Sequence, residues 1–251
     1  MYKRQLRGRK ERKLEAVSRW EAAVEAGDMT AAKKLGPQTA EYTPEMVAET
    51  KRLFEILGAT WVEAPMEAEG AAAVRCANGE VGAVASQDWD TLLYGAPVMV
   101  RNLTSHGTRR FGRVLQAEKV VLADTLAKHD ITHEQLVDLA IMIGTDFHPG
   151  IRGIGPKTGL KLIREHGTLE AVAKAREFEV PERLDEIRSL FLEHPTTGEP
   201  LPQSTHAVEE DLRDFLQKER GFSERRVQRA LDRLTGVARL RSSSQPTLFD
   251  F

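Results

Sequence analysis

Apolar residues recur at helical spacing through the first quarter of the chain. The segment 6–26 is heavily charged and carries only a thin apolar stripe, formed by Leu14, Val17, Trp20 and Val24. Gly36-Pro37 predicts the end of the helical pattern. Thr43-Pro44 then supplies an N-cap residue and a first-turn proline. A helix is therefore predicted from there to Gly58, which occupies a C-cap position.

Shorter apolar runs follow, and they alternate with a helical segment. Pro65 opens a predicted helix from about Met66 to Ala77, with small residues on its buried face. Strand, helix and strand in this order predict an α/β fold with a mainly parallel central sheet. The runs predicted as strands are Trp61-Val62, Val81–Ala85, Pro97–Asn102 and Thr108–Val114, the last in a hairpin around His106-Gly107.

A longer apolar helix is predicted next. Thr132 and Gln135 form a capping box at its start, and the run that follows ends at Gly144. Gly150–Lys157 then holds three glycines and a proline at the first position of another helix, which runs to about Glu165. The two helices and their glycine-rich turn predict a helix-hairpin-helix, which grips a DNA backbone through main-chain amides.

The last third of the chain is less regular. Residues 178–206 are rich in proline and are expected to be irregular, and helices are predicted at about 207–219 and 224–235. Four arginines make one face of the second helix basic, which is typical of a solvated surface. Three serines then lead to the apolar tail Gln245–Phe251, a pattern typical of a short docking peptide.

Composition excludes a few classes of protein and leaves the predicted elements unchanged. The 251 residues are 41% hydrophobic and 29% charged with a formal net charge of −2, so any nucleic-acid site must be a local patch. The single cysteine, Cys76, excludes an internal disulfide. No apolar run approaches the length of a membrane span. Residues 1–5 resemble the translation of a transposon end used in sequencing, and we expect them to be a scar.

Acidic residues follow the predicted strands and the apolar helix. Carboxylates are costly to desolvate unless they are paired or bound to metal. Ligands of α/β sheets collect at the carboxyl ends of strands, so these side chains are expected to converge. Hard divalent cations take such oxygen ligands. The residues concerned are Glu67, Glu69, Asp88, Asp90 and Asp146.

The motifs that contain these residues resemble the consecutive signatures of the flap endonucleases. They read Ala-Pro-Met-Glu67-Ala-Glu69, Ser-Gln-Asp88-Trp-Asp90, Ile-Gly-Thr-Asp146-Phe and Gly-Ile-Arg-Gly153-Ile-Gly155-Pro-Lys157. The resemblance covers about 6–251, and its compact tail is similar to that of archaeal members. It implies a PIN-like nuclease core with a helical arch and a helix-hairpin-helix. It also implies a structure-specific 5′ flap endonuclease of Okazaki-fragment maturation and base excision repair, located in the archaeal cytoplasm with the nucleoid.

The resemblance also implies ligands and partners. The five carboxylates would be catalytic ligands of two Mg²⁺ ions, and the turn with Gly153, Gly155 and Lys157 would bind duplex DNA with the help of K⁺. Arg9 aligns with a phosphate-steering arginine of the arch. The tail resembles a box that binds the trimeric sliding clamp (PCNA) through Gln245, Leu248, Phe249 and Phe251. The boundaries implied are 6–42 for the basic arch helices, 43–148 for the core, 149–241 for the DNA-binding helices and 242–251 for the tail.

The chain departs from the family pattern in one respect that bears on activity. The family begins with a strand that carries one aspartate, and a second aspartate precedes the arch; neither has a counterpart here. We therefore expect a truncated amino end and an inactive chain. Three alternatives stay open, namely a related exonuclease or junction resolvase, a non-catalytic DNA- and clamp-binding module, and a metal-dependent phosphatase.

Overall fold

Two helices joined by a tight turn begin the fold. The computed structural model describes residues 2–39, 43–110, 112–196, 198–205 and 207–242. Helix α1 spans Tyr2–Glu25, and α2 spans Met29–Thr39, with the Asp28 carboxylate accepting from the Ala31 N–H at 2.9 Å. The predicted break at Gly36-Pro37 is wrong, because α2 continues through Pro37. Only the last two residues of the helix follow that proline, and the Thr39 hydroxyl donates to the Gly36 carbonyl at 2.8 Å.

The predicted third helix is confirmed, whereas the strand predicted after it is wrong. Helix α3 spans Pro44–Ile56, and the Thr43 hydroxyl accepts from the Met46 N–H at 3.3 Å. Its C-cap is Leu57, and Gly58 follows with φ +65°. Trp61-Val62 joins no sheet among the described residues, because no neighbouring strand supplies backbone partners there.

A small mixed sheet forms the middle of the larger packed region. Strands β1 (Val84–Ala85) and β2 (Val98–Arg101) pair in parallel, as predicted, across helix α5 (Asp90–Leu93). Strand β5 (Glu118–Val121) pairs antiparallel with β2, so one of the two pairings in this sheet departs from the expected parallel arrangement. Helix α4 (Ala68–Ala77) precedes the sheet and α6 (Leu122–His129) follows it.

The single strand predicted over 108–114 is wrong, because that segment folds on itself into a short hairpin. Strands β3 (Arg109–Arg110) and β4 (Arg113–Val114) pair with each other, with Gly112 at φ +78° just before β4. His106-Gly107, which was expected to form the turn, instead closes the base of the hairpin. There the Gly107 N–H donates to the Leu115 carbonyl at 2.8 Å.

Helices complete the larger packed region. The capping box of α7 (His133–Ile143) is formed as predicted, and α8 spans Pro156–His166 with Pro156 at its first turn. Helix α9 spans Leu169–Arg176. Helix α10 (Leu184–Leu192) lies where irregular chain was expected; its buried Leu184, Ile187 and Phe191 are spaced three and four residues apart, a helical pattern that prolines on either side obscure.

The main core joins these helices to the sheet. A Cβ added at Gly159 of α8 would lie 2.6 Å from Leu139 Cδ1 of α7, so the glycine permits close packing of the hairpin helices. The fully buried side chains include Val137, Ile141, Ile163, Leu169 and Val172. This packing fixes the end of α7, from which Asp146 follows.

Contacts divide the chain into two units. One contains Met1–Thr39 and Glu63–Glu199, and the other contains Ala40–Val62 and Pro200–Phe251. In the second, a small core of Leu212, Val227 and Leu231 joins α3 to α11 (Glu209–Arg213), a π-helix (Asp214–Glu219) and α12 (Glu224–Ser242). The domain boundaries expected from the sequence do not coincide with these units and stay predictions. No helix in the described residues is long and apolar enough to cross a membrane.

Candidate active site

Two acidic residues stand at the start of α4. Glu67 is its N-cap residue, with extended backbone (φ −77°, ψ 132°), and Glu69 lies in the first turn. The free N–H groups at a helix N-terminus carry partial positive charge, which favours carboxylates at this position. Both side chains are partly exposed. They therefore retain access to a ligand.

A second pair follows strand β1 in a tight turn. The Ser86 hydroxyl accepts from the Asp88 N–H at 3.0 Å, and the Asp88 carboxylate accepts from the Asp90 N–H at 3.1 Å. Side-chain to backbone bonds of this kind define an Asx-type turn. Asp90 is then the first residue of α5. The local sequence thus fixes the spacing of the pair.

The fifth carboxylate is placed by the loop after α7. Gly144 caps that helix at φ +126°, and the Thr145 hydroxyl accepts from the Phe147 N–H at 3.2 Å. A Cβ at Gly150 would lie 2.7 Å from the Ile143 carbonyl carbon, so the returning chain passes directly against the helix end. Asp146 is exposed at the tip of this loop.

Four of the carboxylates lie near the fifth, Asp90. Burial is the largest cause of a raised Asp90 pKa, the negative charges of Asp88, Asp146, Glu69 and Glu67 follow in that order, and together they raise it to about 6. Four carboxylates from three separate segments therefore lie within electrostatic reach of Asp90. The convergence expected from the sequence is present.

Buried Tyr94 lies within electrostatic range of the carboxylates. Burial raises the pKa of the Tyr94 phenol above its ordinary range, and the charge of Glu67 is the next largest cause. The Tyr94 ring lies 5.1 Å from that of Phe191 and 5.0 Å from that of His194, between centroids. Sequence reasoning missed both Tyr94 and His194, because neither belongs to a charged motif.

The donor set has the chemistry of a site for hard divalent cations. All five side chains offer oxygen, and like charges gathered near Asp90 are the kind of electrostatic cost that a cation relieves. Within the described ranges, however, no three His, Cys, Asp or Glu side chains close around one point. The residues fit a metal in donor type and charge, although the metal itself is not shown.

A cavity of about 520 Å³ opens beside Glu67. Its walls are mainly apolar, and the ion pair between Arg183 and Glu186 stands on its lining. The cavity joins the start of α4 to the loop after Asp146 and to α10. Its remaining lining residues are Pro65, Met66, Phe147, Ile187 and Leu190.

The helix-hairpin-helix predicted from the sequence is formed by α7, a glycine-rich turn and α8. Gly153 has φ +86° with open space where a Cβ would stand, and Gly155 is the N-cap of α8 without a side-chain cap. The N–H groups of the first turn therefore face outward beside the exposed Lys157. Such an arrangement can bind a phosphate.

Other predicted residues cannot be located in the same way. Arg9 lies in α1, and nothing is described of its side chain. The tail residues Gln245, Leu248, Phe249 and Phe251 lie outside the described residues. Their roles stay predictions.

Comparison with known proteins identifies relatives of the whole chain. Residues 58–146, which include all five carboxylates, match the XPG I-region family. Flap endonuclease 1 of Ignicoccus hospitalis is 37% identical over 252 aligned positions, which cover 98% of this chain and 72% of that protein.

Solved structures agree with this relationship. Flap endonuclease-1 from Methanococcus jannaschii superposes with a TM-score of 0.67 at 36% identity, covering 84% of this chain and 64% of that one. The catalytic core of Rad2 in complex with DNA substrate superposes with a TM-score of 0.68 at 18% identity, covering 80% of this chain and 73% of that one. At that identity, the second likeness shows a shared nuclease-core fold alone.

Proposed function

The chain belongs to the flap endonuclease 1 family, and we propose that its five carboxylates hold the divalent cations that promote attack of water on a DNA phosphodiester at a junction between single and double strands. One observation carries the proposal. The negative charges of four other carboxylates raise the pKa of Asp90, namely those of Asp88, Asp146, Glu69 and Glu67. A mere acidic surface would not bring three distant segments onto one partly buried carboxylate. The substrate is a 5′ flap, as in replication and base excision repair.

The carboxylates would hold two divalent cations, and Mg²⁺ suits their all-oxygen donor set. When bound, such cations lower the pKa of a bound water and stabilise the leaving oxygen. The protein's own part is to place the ligands. The helix N-terminus orients Glu67 and Glu69, the Asx-type turn orients Asp88 and Asp90, and the loop after Gly144 orients Asp146.

The helix-hairpin-helix would bind the duplex part of the substrate. Its outward N–H groups contact phosphates without reading bases, and the exposed Lys157 adds a point charge. A bound K⁺ at the turn would assist in holding the backbone. This arrangement favours a nuclease that recognises DNA shape over one that recognises sequence.

Two further parts of the proposal come from the sequence. Arg9 would steer the flap from the helical arch, and the tail from Gln245 to Phe251 would dock on a sliding clamp. Both would bring the protein to replicating DNA at the nucleoid in the archaeal cytoplasm. A clamp-binding titration with and without Phe249→Ala tests the second.

The test of the main proposal separates metal binding from cleavage. Tb³⁺ is a luminescent stand-in for hard cations, and Trp89 stands between two ligands as its sensitiser. Asp88→Asn should reduce sensitised Tb³⁺ emission, whereas Asp124→Asn, an exposed carboxylate at the start of α6, should leave it unchanged. Flap DNA incubated with Mg²⁺ should be bound and left uncut if the two aspartates without counterparts are needed for cleavage, whereas one product cut at the junction would show that the five carboxylates are enough.

Each contrary outcome points to a different alternative. Mononucleotide products would indicate an exonuclease. Flap binding with Tb³⁺ emission but without cleavage would favour the non-catalytic binding module. Emission that is equal in both variants would overturn the assignment of the ligands.

A further inference from the structure

An exposed tryptophan stands between two of the proposed ligands. Trp89 is 50% exposed, although it is flanked by Asp88 and Asp90 and serves as the N-cap residue of α5. The Leu92 N–H donates to its carbonyl at 3.0 Å, so its backbone is held in place. The indole therefore presents a flat apolar surface to solvent between two charged side chains.

One face of this indole is already supported. The guanidinium carbon of Arg101 lies 4.0 Å from the ring centroid, within the range of a cation–π contact. Arg101 ends β2, and its Nη1 lies 3.9 Å from a Glu118 carboxylate oxygen on the paired strand β5. The Arg101 Nε is buried and has no hydrogen-bond partner among the described residues. The guanidinium is therefore positioned by stacking more than by hydrogen bonding.

This pair offers what an unpaired base requires. A rigid indole with one face covered and the side chain half exposed leaves a flat apolar surface for stacking. Stacking tolerates every base, because each has a π-face, which suits a protein that reads junction shape. The positive charge of Arg101 also opposes the repulsion between the carboxylates and a DNA backbone.

We propose that Trp89, supported by Arg101, is a stacking platform for an unpaired nucleobase next to the phosphate that enters the carboxylate cluster. The proposal rests on the proposed function, since it takes DNA with an unpaired strand as the ligand. It adds a substrate contact that none of the five carboxylates supplies. Because Trp89 adjoins Asp88 and Asp90 in the chain, a base stacked there keeps its own phosphate close to the ligands.

The experiment measures binding of 5′-flap duplexes in Ca²⁺ by fluorescence anisotropy. One duplex has natural bases, and others have a single abasic site at each of the first unpaired positions. Trp89→Ala should weaken binding of the natural flap by about 5- to 100-fold, the range expected for loss of one stacked base. Trp89→Phe, which keeps a ring, should restore most of the affinity.

A second tryptophan with a cation over its ring, in the other unit, provides the control. Trp61 is also covered by a cation, with Lys51 Nζ 4.4 Å from its ring centroid. Trp61→Ala should leave the preference for natural over abasic flaps unchanged. Tb³⁺ titration of Trp89→Phe and Trp89→Ala, excited directly, checks that the carboxylates still bind metal.

The binding measurements distinguish failure of the stacking platform from failure of the proposed function. In the wild type, an abasic site at one position should cost as much as Trp89→Ala does, and the two losses should not add. Equal affinity of Trp89→Ala and wild type for natural flaps overturns the platform while a flap preference over blunt duplex survives. If the wild type shows no flap preference at all, the proposed function itself fails.

Discussion

Gly70 and His194 are in such close contact that the glycine has no room for a side chain. A Cβ at Gly70 would lie 2.5 Å from Nε2 and 2.6 Å from Cγ of His194. The imidazole is 6% exposed, and its Nδ1 donates to the Pro195 carbonyl at 3.0 Å. Its Nε2 has no hydrogen-bond partner among the described residues, and burial lowers the pKa of the ring. The start of α4, with Glu67 at the N-cap and Glu69 in the first turn, therefore packs on this imidazole.

Gly70→Ala should consequently destabilise the protein, although alanine favours a helix. Overpacking of a filled site costs about 1–3 kcal/mol, which exceeds the gain of about 1 kcal/mol in helix propensity. Urea unfolding measures the loss, and Tb³⁺ titration should show weaker binding. The double variant Gly70→Ala/His194→Ala should recover part of the lost stability and part of the lost Tb³⁺ affinity.

Gly236 supplies the matched control for that substitution. It lies in α12, and outside the helix's own backbone no atom of the described residues comes within 4 Å of the place where a Cβ would stand, so Gly236→Ala should stabilise the protein by about 0.5–1 kcal/mol. If Gly70→Ala stabilised the protein equally, the imidazole contact would have no energetic role.

Arg188 is expected to be the most sensitive ion-pair residue of the larger unit. It holds the buried Asp138 through two hydrogen bonds of 2.7 and 2.8 Å and Glu170 through two of 2.6 and 2.7 Å. Asp138 also accepts from the Leu169 N–H at 2.9 Å, so α7, α9 and α10 meet at one carboxylate. Arg188→Met should cost about 3–5 kcal/mol by leaving that charge buried without its partner.

Urea unfolding tests the Arg188 prediction against an exposed pair. Arg183→Met removes an arginine that pairs with Glu186 at the surface, and it should cost less than about 1 kcal/mol. Equal losses in the two variants would contradict the prediction.

The Glu170 carboxylate should make part of the stability depend on acid pH. Its hydrogen bonds to Arg188 lower its pKa from 4.5 to about 2. A lowered pKa in the folded state stabilises the protein above 4.5, and this contribution is lost as the pH falls from 4.5 towards 2. The side chain is 47% exposed, so the contribution is below about 1 kcal/mol.

Glu170→Gln isolates this effect. Urea unfolding at about pH 6 should show the variant to be less stable than the wild type, and at about pH 2.5 the difference should narrow. A difference that does not change with pH would assign the role of Glu170 to packing.

Asp90 should show the opposite pH dependence in metal-free protein. Its pKa is raised from 3.8 to about 6, chiefly by burial, so the folded state binds a proton more tightly than the unfolded chain. The protonated carboxyl therefore contributes stability below pH 3.8 that is lost as the pH rises through about 6. Asp90→Asn should raise stability by about 1–2 kcal/mol at about pH 8 in EDTA.

The same variant should lose metal binding, because one ligand is gone. Thermal unfolding with and without Mg²⁺ measures both effects, and Mg²⁺ should stabilise the wild type more than Asp90→Asn. An Asp90→Asn variant that is less stable than the wild type in EDTA at the same alkaline pH would show that charge crowding is not the dominant effect.

The sequence alone determined the elements whose signals are local. The Thr43 N-cap and the Thr132–Gln135 capping box depend on residues three positions apart, the Pro156 helix start depends on one proline, and all three are present. The carboxylate motifs are local in the same sense. Their spacing was therefore enough to predict a cluster of oxygen ligands.

Only the tertiary structure decided features that depend on distant partners. Trp61-Val62 has the composition of a strand but no neighbouring strand among the described residues, whereas β5 pairs with β2 without a marked local signal. Gly70 meets His194 and Arg188 meets Asp138 across 124 and 50 positions of chain. Hydrogen-bond ladders and close packing require both partners, so the pattern of one segment could not specify them.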